Sequence, residues 1–162
     1  MTTILPAGAR VDITDHMSPD PNVWNKVWRS EIRFNGASAA AHQWLAVFDL
    51  APSSTQVASA NPLAVNAGPV TGVLLQSMAG NSALVFGTAA VGTPISGSIA
   101  YTTPAVQTRH VITNLSPSGA YTVTVNANGS THLVTVSPGG SMHASPNGVL
   151  SFAITPAGLL QP

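Results

Sequence analysis

Three sets of side chains in this sequence have the chemistry to act on another molecule: five histidines, five carboxylates and three tryptophans. A serine triad would join His16, His42, His110, His132 or His143 to a serine and an acid, and its local mark is a G-x-S-x-G elbow exposing the nucleophile. The nearest approach, Gly80-Asn81-Ser82-Ala83-Leu84, lacks the second glycine and reads as a hairpin turn entering a strand. Glycoside hydrolysis needs two carboxylates about 5 to 10 Å apart. Glu31 and Asp49 meet that need only if their strands pair, and Glu31 alternates with Arg29 and Arg33 as on a solvated strand face with cross-strand charge pairs. The histidines show neither H-x-H nor H-x-x-x-H spacing, so no zinc site is expected. Asp12, Asp15 and Asp20, with His16, offer hard ligands to a calcium ion if one loop gathers them; the simpler reading is loop-capping aspartates. No catalytic residue, metal or cofactor is assigned.

Binding falls to the tryptophans, because sugar rings stack on exposed indoles and tryptophan concentrates at interface hot spots. Trp44, inside QWLAVF, reads as core. Trp24 and Trp28 lie in the charge-bearing part of the chain and are the candidates for contact with a polysaccharide or a neighbouring protein domain; otherwise they form a small satellite core.

Composition narrows the partners. The net charge is zero, which leaves no field to steer the chain toward nucleic acid or an anionic membrane surface. No apolar run is long enough to span a bilayer, and MTTILPAGARVD has neither the basic start nor the apolar core of a signal peptide. Only 6% of residues are charged against roughly 25% in an ordinary soluble domain, and nine of those ten charges precede residue 50. Solubility therefore rests on Ser, Thr, Asn and Gln, and a covering partner is expected for the nearly uncharged remainder. With no cysteine, packing alone holds the fold. The low-lysine, hydroxyl-rich composition points to a secreted, periplasmic or cell-surface protein.

After residue 40 the apolar pattern has period 2 and is broken by Gly, Pro and Asn-Gly signals. The strand-like runs are RVDIT, VWRSEIRFN, QWLAVFDL, VTGVLLQ, NSALVFG, ISGSIAYT, RHVITNL, AYTVTVN, THLVTVS and VLSFAIT, with a short SMHA before the last. About ten strands predict one domain over 1–162, a two-sheet antiparallel β-sandwich, with charged strands and loops in 1–42 and a weakly charged core in 43–162. SPDPNVWNKVW allows one helical turn, since Trp24 and Trp28 stand i, i+4, and GASAAAH allows a brief helix. APSSTQVASANP is a linker or a long loop.

Asn128-Gly129 predicts a two-residue type I′ turn. Counting outward sets Val125 opposite His132, Val123 opposite Val134 and Tyr121 opposite Val136, so Tyr121, Val123, Val125, Val134 and Val136 form one inward stripe. His132 then sits on the inner face beside the turn as a hydrogen-bonded rim histidine. Asn147-Gly148 predicts a second turn, after which Leu150, Phe152 and Ile154 face inward on a strand that closes one sheet.

Leu115-Ser116-Pro117-Ser118-Gly119-Ala120-Tyr121-Thr122-Val123-Thr124-Val125 resembles the L-x-P-x-x-x-Y-x-V-x-V signature of fibronectin type III and related immunoglobulin-like sandwiches. The resemblance implies a tyrosine corner, in which the ring fills the gap where the chain changes sheets and the hydroxyl bonds loop backbone. Tyr121, Leu115 and Pro117 are accordingly structural. The longer string from RVDITDH through GVLSF resembles the C-terminal β-sandwich region of heparinase II/III-type polysaccharide lyases, whose acid/base chemistry lies largely on a helical toroid absent from this sequence. That likeness implies a non-catalytic accessory domain of a polysaccharide-active protein. The alternative is a free-standing bacterial interaction protein, an adhesin or antigen built on the same scaffold.

Overall fold

The computed structural model of the chain describes residues 2–5, 10–17, 26–33, 45–47, 58–77, 80–90 and 92–161. Every regular element among them is a strand. The chain divides into two compact units, Met1–Phe48 and Asp49–Pro162, close to the compositional change read after residue 42.

The first unit holds β1 (Thr2–Leu5), β2 (Arg10–Met17), β3 (Lys26–Arg33) and β4 (Leu45–Val47). They form two antiparallel pairs, β1 with β4 and β2 with β3. The expected helical turn ending at Trp28 is corrected, because Lys26, Val27 and Trp28 open β3. One turn of helix is costly to nucleate, whereas a segment with Val27, Trp28 and Ile32 gains a full ladder against β2. Residues 18–25 and 36–42 lie outside the described residues. The β2–β3 register sets Arg10 opposite Arg33 and Asp12 opposite Glu31, so the direct cross-strand pairs are like-charged and opposite signs lie on the diagonals.

The second unit contains β5 (Ala58–Pro62), β6 (Ala64–Ala67), β7 (Val70–Ser77), β8 (Gly80–Gly87), β9 (Ile99–Pro104), β10 (Thr108–Ile112), β11 (Ala120–Asn128), β12 (Thr131–Pro138), β13 (Met142–His143), β14 (Leu150–Ile154) and β15 (Leu160–Gln161). Six strands form one sheet in the order β15-β14-β10-β8-β7-β5, and five form the other in the order β13-β11-β12-β9-β6. Alternation assigns the inner faces: Ile99 and Tyr101 on β9 with Val134 and Val136 on β12, against Ala83 and Val85 on β8 with Leu150, Phe152 and Ile154 on β14. These side chains, with Tyr121, Leu115 and Ile95, make one buried cluster drawn from both sheets, which is the arrangement of a β-sandwich. Burying each large aliphatic side chain there contributes about 1.5–3 kcal/mol before the entropy cost.

The expected all-antiparallel pairing is corrected at one seam, because β8 and β10 run parallel, Ala83 beside His110 and Val85 beside Ile112. The β11–β12 register is also corrected, by two residues: Tyr121 pairs with Pro138, Val123 with Val136, Val125 with Val134 and Ala127 with His132. The turn residues are Gly129 and Ser130; Gly129 has φ 59° and no other residue of the turn is left-handed, the mark of a type II′ turn rather than I′. A slip of two keeps the faces, so the predicted inward stripe survives. The later turn is likewise displaced, since Gly148 N–H donates to Ser145 O at 2.9 Å around Pro146 and Asn147. Gly148 follows it at φ 71°, where a side chain would also strike the Leu115 carbonyl. Finally, β14 does not close its sheet, because β15 pairs with it as the edge.

Candidate functional site

Period-2 alternation turns five polar residues into the core; Thr108 of β10 bonds locally to the Val106 carbonyl at 3.0 Å, and the other four gather between the sheets. Tyr101 and Thr103 on β9 and His132 on β12 face inward from the five-stranded sheet, with Thr103 directly opposite His132. His110 on β10 faces them from the six-stranded sheet. All four are at most 1% exposed, so each must find its partners inside the protein.

Tyr101 bridges the sheets, its hydroxyl 2.9 Å from Nδ1 of His110. On its other side the His110 ring stacks on Phe152, its cross-strand partner, with centroids 4.9 Å apart and planes 6° from parallel. His132 donates from Nε2 to the Pro156 carbonyl at 3.2 Å. Burial, and secondarily the neighbouring His132, lowers His110 from the ordinary 6.5 to about 4, so its ring is neutral at physiological pH. Burial raises the Tyr101 hydroxyl far above its usual range, and it stays protonated. Nδ1 of His110 is the one hydrogen-bond partner of the Tyr101 hydroxyl among the described residues, so the buried O–H is satisfied only by donating to it, which assigns Tyr101 as donor. Beyond Asp49 the chain has no side-chain carboxylate, so residues 50–162 lack the acid that would orient His110 or His132 as a triad base. Among the described residues, no three His, Asp or Glu side chains gather to hold a metal.

The Tyr121 loop is a second built feature. The Tyr121 ring is buried and its hydroxyl accepts the Ser116 N–H at 2.9 Å, tying the ring to loop backbone five residues upstream. Leu115 is buried beneath the same loop. Pro117 is exposed and acts through the backbone: Gly119 N–H donates to Ser116 O across Pro117 and Ser118, and Ser118 has φ 55°, a type II turn with proline at its favoured position.

Of the other sequence candidates, Trp28 lies on β3 opposite Asp15, while Trp24, Trp44, His42, Asp20 and Asp49 lie outside the described residues. Asp12, Asp15 and His16 all fall within β2, so those three do not share the single loop that the calcium reading requires. Glu31 is on β3, opposite Asp12 of β2, while the Asp49 half of the carboxylate pair lies outside the described residues. His143 is exposed, its Nδ1 3.1 Å from Ser141 O. His132, read as a rim residue, is instead fully inside. Sequence reasoning passed over Tyr101 and Thr103 and weighed His110 only for a triad or a metal, although IAYTTP and TRHVI alternate cleanly enough to place all three inward.

The two outer faces differ in kind. On the five-stranded sheet Thr122, Thr124 and Asn126 of β11 lie beside Ser137 and Thr135 of β12, with Thr102 of β9 donating to Asn66 at 2.8 Å. Leu133 stands opposite Asn126 in this row, and the exposed imidazole of His143 on β13, paired with Ala120, lies at its margin; that face has no Asp, Glu, Lys or Arg among the described residues. On the six-stranded sheet the outward positions include Leu75, Leu84, Phe86 and Val111, with Val73 opposite Leu84 and outside the cluster between the sheets. Compared with protein families, curated proteins and solved structures, the chain matches none.

Proposed function

We propose that this chain is a non-catalytic, Ig/fibronectin-like β-sandwich accessory module of a secreted or periplasmic polysaccharide-active protein, with a glycan-contacting face. The observation that carries the reading is the flat, neutral row of hydroxyls and amides on the outer side of β11 and β12, Thr122, Thr124, Asn126, Thr135 and Ser137. Such groups exchange hydrogen bonds with sugar hydroxyls, and the lack of any cation there favours a neutral glycan over an acidic one. With only the His143 ring at the margin and no Trp, Tyr or Phe to stack on, affinity is weak, in the millimolar class of about −4 kcal/mol. The Tyr121 corner supports the Ig/fibronectin-like construction, and the single lysine and hydroxyl-rich composition support export.

Amide-resolved NMR titration of the full chain with a neutral and an acidic oligosaccharide tests the reading. Shifts confined to Thr122, Thr124, Asn126 and Thr135 with the neutral sugar, lost in Thr124→Ala/Asn126→Ala, are the expected result. Unmoved amides at millimolar sugar, or a response to the acidic sugar alone, remove it.

A further inference from the structure

Among the described residues, three polar atoms buried in the core of the second unit have no hydrogen-bond partner: Thr103 Oγ1, His110 Nε2 and His132 Nδ1. They are complementary. Because Tyr101 donates to Nδ1 of His110, the proton of that ring is on Nε2, an unmatched donor. Because His132 donates from Nε2 to the Pro156 carbonyl, Nδ1 of its neutral ring is an unmatched acceptor. The Thr103 hydroxyl can take either role. These residues also share one patch: Thr103 is opposite His132 across the β9–β12 ladder, and Tyr101, two residues before Thr103 on the same face, holds His110 from the facing sheet. The loop at Pro156 and Gly158 lies against Nε2 of His132, and Nδ1, on the other side of Cε1, is left without a partner among the described residues.

We propose that Thr103, His110 and His132 form an internal binding site for one water molecule between the two sheets. The water accepts from Nε2–H of His110, donates one hydrogen to Nδ1 of His132 and donates the other to Thr103 Oγ1. Three bonds are the usual complement of a buried water, and leaving each of these atoms unpaired in a dry core is the costly alternative. The relay Tyr101–His110–water–His132–Pro156 then joins the sheets through a continuous polar thread, each donor matched to an acceptor.

The test uses the full chain, labelled with ¹⁵N, near neutral pH. Long-range imidazole spectra are expected to show the Nε2–H tautomer on both rings, with the His110 Nε2 proton exchanging magnetisation with a long-lived water seen by oxygen-17 relaxation dispersion. Thr103→Val, which keeps the shape and removes one partner, is expected to shorten that water's residence about tenfold; Thr113→Val, on a half-buried hydroxyl just past the end of β10 that bonds to Asn114 and Val85, leaves it unchanged. A scalar coupling across a direct His110 Nε2 to His132 Nδ1 bond, an Nδ1–H tautomer on either ring, or no long-lived water would overturn the proposal. Should Thr103→Val not fold, the tautomers and the relaxation measurement on the unaltered chain decide it.

Discussion

The hydroxyl of Tyr101 and Nδ1 of His110, 2.9 Å apart, join the two sheets of the second unit through the middle of their shared core. Replacing Tyr101 by Phe keeps the ring and leaves the imidazole nitrogen unpaired. A loss of about 1–3 kcal/mol is expected, read as a lower urea midpoint at unchanged slope. An unshifted midpoint would show that the bond contributes nothing net.

His110 also sets a pH dependence. In the unfolded chain its ring takes a proton near pH 6.5, whereas the folded ring resists until about pH 4. Between those values the unfolded state binds the proton and the native state does not. Stability is therefore complete above pH 6.5 and falls as the pH drops through the window, by roughly 3 kcal/mol in all. Tyr101 from β9, His132 from β12 and Phe152 from β14 face the ring, and none is an anion that would hold an imidazolium. His110→Gln, which retains an acceptor for Tyr101, should flatten the slope across that window in urea unfolding; equal slopes in both proteins would put the dependence elsewhere.

Tyr121 separates packing from hydrogen bonding. Tyr121→Phe removes only the acceptor of the Ser116 N–H and should cost about 1–2 kcal/mol. Tyr121→Ala also empties the buried ring site beneath the loop, for which about 3–5 kcal/mol is expected. Thermal unfolding of the pair measures both; equal losses would mean that the hydroxyl alone matters.

Gly148 combines left-handed backbone at φ 71° with a carbonyl, that of Leu115, where a Cβ would go. Leu115 N–H also donates to Gly148 O at 3.0 Å, so the loop cannot simply move away. Gly148→Ala should cost about 1–3 kcal/mol, whereas the same change at Gly92, also left-handed but with nothing near its Cβ, should cost only about 1–2 kcal/mol from the backbone. Chemical denaturation of the two variants compares them.

Strands whose inner faces are packed were legible in the sequence, because alternation is the direct imprint of one buried side. Thr108, His110 and Ile112 against Arg109 show it on β10, and Leu150, Phe152 and Ile154 against Ser151 show it on β14. β5 and β6 were not legible, for they are the outer edges of the two sheets and bury too little to pattern their residues. Every residue of β6 is exposed, and β5 ends in Pro62, which only an edge tolerates. A buried Tyr121 bonded to its own loop was legible because Leu115, Ser116 and the ring stand six residues apart in sequence or less. The His110 cluster could not, since which inward polar residues meet depends on how two sheets face one another, and scattered histidines carry no spacing signal for that.

Because β8 and β10 run side by side in the same direction, the chain must leave the six-stranded sheet, lay down β9 in the opposite one and return before that seam can close. Pairing between segments so distant in sequence belongs to the slow, millisecond-to-second class of folding. Until the return is made, β8 waits with an open edge in the middle of what will become a sheet, and crowding at that moment, rather than weakness of the finished structure, is when the chain is most exposed to joining a copy of itself.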